Sequence, residues 1–156
     1  MANQQLAIGI DLGGTKIAVG LVDETGKILR FEKIPTRHDG ADCVVSDIIA
    51  TTKKMVGGEK NIVAAGVGMA GQIEALSGVV HFAPNLGWKE FPLGNRLSEG
   101  LGLPVHVLND VRAAAWGEWI HGAGKGVDDL VCLFVGTGIG AGLVSGGRML
   151  IGSNNA

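Results

Sequence analysis

The stretch that decides the fold is residues 6–22, LAIGIDLGGTKIAVGLV. Apolar side chains alternate with small ones on both sides of a glycine pair, and this period of two predicts two strands joined by a tight turn. The turn gathers a carboxylate, a hydroxyl and an ammonium group around the glycines: Asp11, Gly13, Gly14, Thr15 and Lys16. Because glycines let backbone N–H groups approach a ligand closely, such a turn can form an anion-binding nest. The residues alone are compatible with two interpretations. One is a phosphate-binding hairpin with a carboxylate placed to meet a metal ion, and the other is an ordinary hairpin turn that carries polar side chains.

Length, charge and cysteine content restrict the class of protein. The 156 residues suffice for one ordinary domain, and 13 basic against 15 acidic residues give a net charge of -2, which offers no basic surface for nucleic acid or membrane. Cys43 and Cys132 lie far apart without metal-ligand spacing, which predicts reduced, buried thiols. The amino terminus lacks the basic segment of a signal peptide, and no apolar run is long enough for a membrane span. We therefore expect a cytoplasmic protein without nucleic-acid or membrane partners.

Glycine is unusually frequent and marks the turns of the chain. There are 27 glycines among 156 residues, whereas about 7% is typical. They have no fixed period and gather at the ends of apolar runs, which indicates several backbone turns that line one or more ligand sites. One cluster, residues 66–71, matches the GxGxxG dinucleotide fingerprint, but the residues after it predict a short hairpin where that fingerprint requires a helix. A nicotinamide-binding function is therefore not favoured.

The order of the elements predicts an α/β fold with a mixed sheet and flanking helices. Three antiparallel strands, a helix that starts at Asp39 and has apolar residues at helical spacing from Val44 to Val56, a strand, a helix, a strand and a helix follow one another within residues 6–120. A glycine-rich loop at residues 122–126 is the best boundary, so we expect one domain over residues 1–121 and the beginning of a second over 122–156. After this loop a strand, a glycine turn at residues 136–142 and another strand repeat the opening pattern. Two such hairpins that face each other would hold a polyphosphate from both sides.

A strand passes directly into a helix at Asn109 and Asp110. Asp is a preferred helix cap, and the spacing by itself favours a cap over a general base for Asp110. Asn109 and Asn85 are each compatible with an ordinary turn or with hydrogen bonds to a ligand. Trp88, three residues after Asn85, is predicted to belong to the core rather than to form the wall of a ligand site.

Five segments, in this order and spacing, resemble those of one family. They are DLGGTK at residues 11–16, the glycine-rich residues 66–73, the Asn-Leu-Gly-Trp loop at 85–88, the junction at 109–110 and GTGIG at 136–140. Over nearly its whole length the chain resembles the ROK family of bacterial sugar kinases, most closely its glucokinases. The resemblance implies the ribonuclease H-like, actin-like ATPase fold, with a small N-terminal domain followed by the start of the large domain.

The resemblance also implies a chemistry, the transfer of the γ-phosphoryl group of ATP to a hexose hydroxyl, with glucose as the expected substrate and glucose 6-phosphate as the product. Asp110 would be the catalytic base, held ionised by the N-terminus of its helix. Asp11 would orient Mg²⁺ through water, since this chemistry needs a cation that bridges phosphates. The sugar would contact Gly71, Asn85, Asn109 and Asp110. The phosphates would contact Asp11, Gly13, Gly14, Thr15 and Lys16 on one side and Gly136, Thr137, Gly138 and Gly140 on the other.

The sequence departs from the family in length. Complete ROK kinases are expected to be roughly twice as long and to carry, beyond the second phosphate motif, a Glu and a His that bind the sugar, a Cys-rich zinc segment and the adenine pocket. None of these lies within residues 1–156, so we expect an N-terminal part, inactive by itself, of a homodimeric kinase, with zinc only in the missing part. A sheet that ends midway leaves an open edge, which predicts pairing with another chain or lower stability.

Rival functions remain compatible with some of these features. A sugar-responsive ROK-type repressor would carry a DNA-binding winged helix before the first phosphate motif, and here the first strand begins by Leu6. A ROK kinase for an N-acetylated amino sugar or another hexose differs only in the sugar pocket, and the Asn-Leu-Gly-Trp loop favours glucose. A non-catalytic actin-like ATPase module is disfavoured by the junction at residues 109–110. For Lys16, a solvated strand residue is the favoured alternative to a phosphate ligand.

Overall fold

The computed structural model describes residues 4–136 and 139–152. Within these ranges the chain forms eleven strands and three helices. In chain order they are β1 (Leu6–Leu12), β2 (Lys16–Asp23), β3 (Ile28–Pro35), α1 (Ala41–Val56), β4 (Ile62–Met69), β5 (Gln72–Glu74), β6 (Val79–Ala83), β7 (Trp88–Phe91), α2 (Leu93–Leu101), β8 (Val105–Asn109), α3 (Asp110–Ile120), β9 (Leu130–Val135), β10 (Ile139–Ser145) and β11 (Arg148–Met149).

Five strands form the central sheet, in the order β3-β2-β1-β4-β8. Strands β1, β4 and β8 are parallel to one another, whereas β2 and β3 extend the sheet as antiparallel strands. Two further antiparallel sheets, each of three strands, have the orders β5-β6-β7 and β11-β10-β9. The predicted α/β architecture, with a mixed sheet and flanking helices, is confirmed. The hairpin predicted after residues 66–71 is confirmed as well, since β5 and β6 follow there.

The main core lies on one face of the central sheet. Alternate side chains of β1 and β2 are buried in one cluster with the inward residues of α1 and α2. Burial of each such aliphatic side chain stabilises the fold by about 1.5–3 kcal/mol relative to exposure. The β1 and β2 members of this cluster are Leu6, Ile8, Ile10, Leu12, Ile17, Val19 and Leu21.

The other face of the sheet has small residues, and α3 packs against it. A Cβ atom added to Gly68 of β4 would lie 3.3 Å from the Cβ of Ala113 in α3. On β10, a Cβ atom added to Gly142 would lie 2.2 Å from the Cβ of Ala115, also in α3. Glycine therefore allows α3 to contact strands of two different sheets at backbone distance.

Three element boundaries differ from the sequence-based expectation. Trp88–Phe91 forms β7, a strand that the pattern did not indicate because it is four residues long and half charged. Strand β10 begins at Ile139, so the second glycine turn is shorter than residues 136–142. Helix α1 begins after Gly40 rather than at Asp39, whose carboxylate instead accepts a hydrogen bond from Nε of Arg37 at 3.0 Å.

The glycine-rich loop after α3 is held by hydrogen bonds. The backbone N–H of Gly124 donates to the carbonyl of Glu118 at 2.9 Å, and Nε1 of Trp119 donates to the carbonyl of Val127 at 2.9 Å. These contacts restrain the loop more than its glycine content indicated. The domain boundary at residues 121–122 stays a prediction.

The cysteines are less buried than predicted. Cys43 and Cys132 are both free thiols, and both are half-buried.

In the part of the chain that the structure describes, no helix is long and apolar enough to cross a membrane.

The hairpin of β9 and β10 exposes one apolar face. Side chains on this face keep 64% (Val131), 68% (Leu133), 79% (Val135) and 81% (Ile139) of their surface exposed. Because Ile139 pairs directly with Val135, these side chains form one contiguous patch. An exposed apolar patch of this kind favours association.

We expect the 156-residue chain to self-associate through this face as its concentration rises. Leu133→Asp places a charge within the face and should shift the chain towards the monomer in sedimentation velocity. Leu76→Asp is the matched control, because Leu76 is 101% exposed outside this hairpin and should leave association unchanged. A chain that stays monomeric and cooperatively folded at every concentration would contradict the expectation.

Close packing of α3 on β10 leads to a second prediction. Gly142→Ala should lower the free energy of unfolding by about 1–3 kcal/mol, the usual cost of overpacking, because its Cβ would lie 2.2 Å from that of Ala115. Gly66→Ala is the control, since a Cβ at Gly66 meets no heavy atom within 4 Å. Denaturant unfolding of the two variants measures the difference, and equal stabilities would argue against the close contact.

Candidate functional site

The three parallel strands end at the same edge of the central sheet. Leu12 of β1 is in register with Met69 of β4, and Met69 is in register with Asn109 of β8. Ligands of α/β proteins bind outside the carboxyl ends of parallel strands. The segments that follow these ends are the glycine hairpin, Gly71 and the start of α3, and each contains residues that the sequence singled out.

In the hairpin turn between β1 and β2, hydrogen bonds occupy the carbonyl groups of Gly13, Thr15 and Lys16. The N–H of Gly13 donates to the carbonyl of Lys16 at 3.0 Å. Thr36, at the end of β3, donates from Oγ1 to the carbonyl of Gly13 at 2.8 Å and from its backbone N–H to the carbonyl of Thr15 at 2.9 Å. Within the described residues the N–H groups of Gly14 and Thr15 have no acceptor, so both are available to an anion.

The two glycines of this turn are required by close approach rather than by backbone conformation. Neither Gly13 nor Gly14 has a positive φ, in contrast to the usual reason for glycine in turns. A Cβ at Gly13 would lie 2.9 Å from the carbonyl oxygen of Lys16, and one at Gly14 would lie 3.2 Å from the Cβ of Asn85. The loop that carries Asn85 therefore lies directly against the turn. The ammonium-bearing side chain of Lys16 is exposed.

Asp11 and Asp110 line the same cavity, which has a volume of about 650 Å³. Asp11 belongs to β1 and Asp110 to the first turn of α3, so the register of the sheet brings them together. Partial burial raises the pKa of Asp11, and the negative charge of Asp110 raises it further. The positive charge of Lys33 acts in the opposite direction. The cavity thus contains two carboxylates that compete for the ionised state.

The N-terminus of α3 is capped by Asn109 and not, as the spacing indicated, by Asp110. Oδ1 of Asn109 accepts hydrogen bonds from the backbone N–H groups of Val111 at 3.1 Å and Arg112 at 3.4 Å. Asp110 is the first helical residue, and its Oδ1 accepts from the N–H of Val111 at 2.9 Å. The positive end of the helix dipole favours an ionised carboxylate at this position.

A second cavity, of about 690 Å³, joins Gly71 and Asn109. Gly71 has a φ of 154°, and a Cβ there would lie 2.8 Å from the carbonyl oxygen of Phe82. Gln72 and Arg112 supply further polar groups to this cavity. Neither was predicted from the sequence, although each follows a predicted site residue within three positions. On the opposite side the cavity is lined by Ala141, Gly142, Leu143, Leu150, Ile151 and Gly152.

The remaining site predictions divide into three groups. Trp88 is a core residue as predicted, because only 6% of its surface is exposed. Gly140 lies inside β10, where its glycine has a packing reason: a Cβ there would lie 2.7 Å from Cγ2 of Val111. Thr137 and Gly138 lie outside the described residues. Phosphate binding by the second hairpin, including Gly136, stays a prediction.

Among the described residues, no group of three or more His, Cys, Asp or Glu side chains could hold a metal ion. Asp11 and Asp110 nevertheless present two carboxylates to one cavity. Mg²⁺ prefers oxygen ligands and keeps several of its waters, so this pair suits an ion bound mainly through water and phosphate oxygens.

Known proteins of similar sequence and fold include bacterial glucokinases. The glucokinase of Streptomyces coelicolor is 44% identical over 144 residues, which are 92% of this chain and 45% of that protein. The crystal structure of a ROK family glucokinase from Streptomyces griseus, in complex with glucose and AMPPNP, superposes with a TM-score of 0.86 at 44% identity and covers 94% of this chain and 46% of that one. The chain thus spans less than half the length of the glucokinases that it matches.

Other relatives have different activities. The xylose repressor of Caldicellulosiruptor bescii is 37% identical over 94% of this chain and 38% of the repressor. The N-acetylmannosamine kinase of Citrobacter koseri is 32% identical over 93% of this chain and 49% of that kinase. Residues 7–156 match the sequence pattern of the ROK family. The chain therefore belongs to the ROK family and has the actin-like ATPase fold of that family.

Proposed function

We propose that the protein to which this chain belongs transfers the γ-phosphoryl group of ATP to a hexose hydroxyl, with glucose as the first candidate substrate. The observation that carries the proposal is that Asp11 and Asp110, which lie near the carboxyl ends of β1 and β8, line one cavity. Glucokinases among the relatives, and the glucose and AMPPNP bound to one of them, support the substrates.

On the sugar side, Asp110 accepts the proton of the attacking hydroxyl. It lies in the first turn of α3, where the positive end of the helix dipole stabilises negative charge. Asn109 uses its Oδ1 for the helix cap, so its amide N–H groups remain to donate to sugar hydroxyls. Gly71 admits the sugar close to the backbone, and Asn85 contacts it from the loop against the hairpin turn.

On the nucleotide side, the free N–H groups of Gly14 and Thr15 bind phosphate oxygens. Gly13 keeps the turn tight, and the carboxylate of Asp11 hydrogen-bonds to water around the phosphates. Mg²⁺ bound with ATP would neutralise charge on the transferring phosphoryl group, with Asp11 as its water-mediated partner. The second hairpin would contact the phosphates from the opposite side.

Two other functions are kept as alternatives. An N-acetylated amino sugar or another hexose could replace glucose, because an N-acetylmannosamine kinase shares the same half of the fold. A sugar-responsive repressor without catalysis is the other alternative, since a xylose repressor is also a relative. A coupled ATP assay of the full-length protein over a panel of hexoses separates these functions. Dimerisation and zinc in the remainder of the protein stay predictions from the resemblance, and a cytoplasmic location stays a prediction from the composition of the sequence.

Asp110→Asn in the full-length protein is expected to lower kcat for glucose phosphorylation by about 10²–10⁴-fold, the usual contribution of a general base. The amide keeps an oxygen that can accept from the N–H of Val111, so the helix start should survive. Circular dichroism and the Tm control for folding. Turnover within a few-fold of the unchanged protein would contradict the role of Asp110.

Gly13→Ala should weaken ATP binding and raise KM for ATP, because the new Cβ would lie 2.9 Å from the carbonyl oxygen of Lys16 and distort the turn. Gly117→Ala is a matched control, since a Cβ at Gly117 meets no heavy atom within 4 Å. Steady-state kinetics at saturating glucose distinguish the two variants. An unchanged KM for ATP in Gly13→Ala would exclude the turn as a phosphate site.

A further inference from the structure

Thr36 is a buried polar residue that connects the end of β3 to the turn between β1 and β2. Only 7% of its surface is exposed. Because Pro35 pairs with Lys16, the next residue of the chain lies beside the turn. Oγ1 of Thr36 donates to the carbonyl of Gly13 at 2.8 Å, and its backbone N–H donates to the carbonyl of Thr15 at 2.9 Å. Thr36 lies outside all five sequence motifs.

The turn lacks the usual features of a two-residue hairpin loop. The N–H of Gly13 donates to the carbonyl of Lys16, which leaves Gly14 and Thr15 as the loop. Such loops usually have a positive φ at one or both residues, and here neither residue has one. Within the described residues the reciprocal hydrogen bond, from the N–H of Lys16 to the carbonyl of Gly13, is absent. The hydroxyl of Thr36 occupies that carbonyl instead.

The hydrogen bond from the Thr36 hydroxyl also fixes the direction of an N–H group. The carbonyl of Gly13 and the N–H of Gly14 belong to the same peptide unit, and no peptide bond of the described residues is cis. In a planar trans peptide unit these two bonds point in opposite directions. Because Oγ1 of Thr36 holds the carbonyl, the N–H of Gly14 is directed away from Thr36.

The second hydrogen bond of Thr36 restrains the other end of the loop. It holds the carbonyl of Thr15, which belongs to the peptide unit that follows the loop. The N–H of Thr15 lies in the unit between the two that Thr36 holds, so its freedom to rotate is limited from both sides. The N–H groups of Gly14 and Thr15 are the two that have no acceptor within the described residues. Donors that are held in place before binding lose less entropy when a ligand arrives.

We infer that Thr36 is a positioning residue that holds the N–H groups of Gly14 and Thr15 in the orientation that binds phosphate. This inference rests on the sugar kinase function proposed above, in which the turn binds the phosphates of ATP. Thr36 acts through the backbone of the turn and need not touch the sugar or the nucleotide.

The test compares Thr36→Val and Thr36→Ser with the unchanged full-length protein. Valine has the shape of threonine and keeps the backbone N–H, but it lacks the hydroxyl donor that serine retains. The first readout is the Kd of ATP with Mg²⁺, measured by calorimetry without sugar. It should rise by about 2–10-fold in Thr36→Val, the range that one neutral hydrogen bond supplies. Thr36→Ser should bind ATP as the unchanged protein does.

Thr52→Val is the matched control. Thr52 lies in α1 with 1% of its surface exposed, and within the described residues its Oγ1 has no hydrogen-bond partner. The same substitution there removes a buried hydroxyl without breaking a hydrogen bond, so the Kd of ATP should stay unchanged.

The second readout is the pair of backbone amide signals of Gly14 and Thr15 in ¹⁵N NMR. ATP should shift both signals in the unchanged protein and in Thr36→Ser. In Thr36→Val both should lie at different positions before ATP is added, because their peptide units are no longer held. A purely structural role would lower the Tm and leave the Kd of ATP unchanged. If Thr36→Val does not fold, Thr36→Cys replaces it with the same expectation, since a thiol donates only weakly.

The outcomes separate this inference from the proposed function. An unchanged Kd of ATP in Thr36→Val, or an equal rise in Thr36→Ser, overturns the role of Thr36 even if the protein is a sugar kinase. A rise confined to Thr36→Val, in a protein that phosphorylates no hexose, supports the role of Thr36 and overturns the kinase function. A full-length protein that binds no ATP overturns both.

Discussion

The parallel pairing of β1, β4 and β8 is the constraint on which the rest of the structure depends. Its register places the ends of all three strands at one edge, so that residues far apart in the sequence follow one another across a few ångströms. A shift of one residue in this register would turn Asp11 towards the hydrophobic core. The buried alternate residues of β1 prevent that shift, because they would lose their contacts with α1 and α2. Core packing therefore fixes the position of the carboxylate.

The packing at this edge is electrostatically unfavourable, because it places carboxylates together and partly buries one of them. Two carboxylates share one cavity, and burial acts against the charge of Asp11. Two groups supply positive potential there: the N-terminus of α3 at Asp110 and the ammonium group of Lys33 near Asp11. In the function that we propose, this potential would favour the negative charge with which the two carboxylates orient a hydrated cation.

Much of the fold was accessible from the sequence because its signals are local. The period of two in residues 6–22 predicted both strands and the turn, and the helical spacing of residues 44–56 predicted α1. The choice between Asp110 and Asn109 as helix cap was not accessible, since both residue types are good caps and only geometry decides. Gln72 and Arg112 were missed because only the packing of α3 against neighbouring strands brings both to one cavity. The role of Thr36, which holds the turn through two hydrogen bonds, likewise requires the register of β3.

The glycine contacts of α3 have a consequence for how this part of the chain can evolve. On the α1 face, an aliphatic side chain can be exchanged for another of similar volume, so substitutions can compensate one another over time. Gly142 and Gly140 offer no such route, because a Cβ at either position already overlaps a side chain of α3 and no residue is smaller. We expect substitutions to be rejected at these two positions and to be tolerated on the α1 face. The helix that carries Asp110 is thereby anchored by positions with almost no freedom to vary.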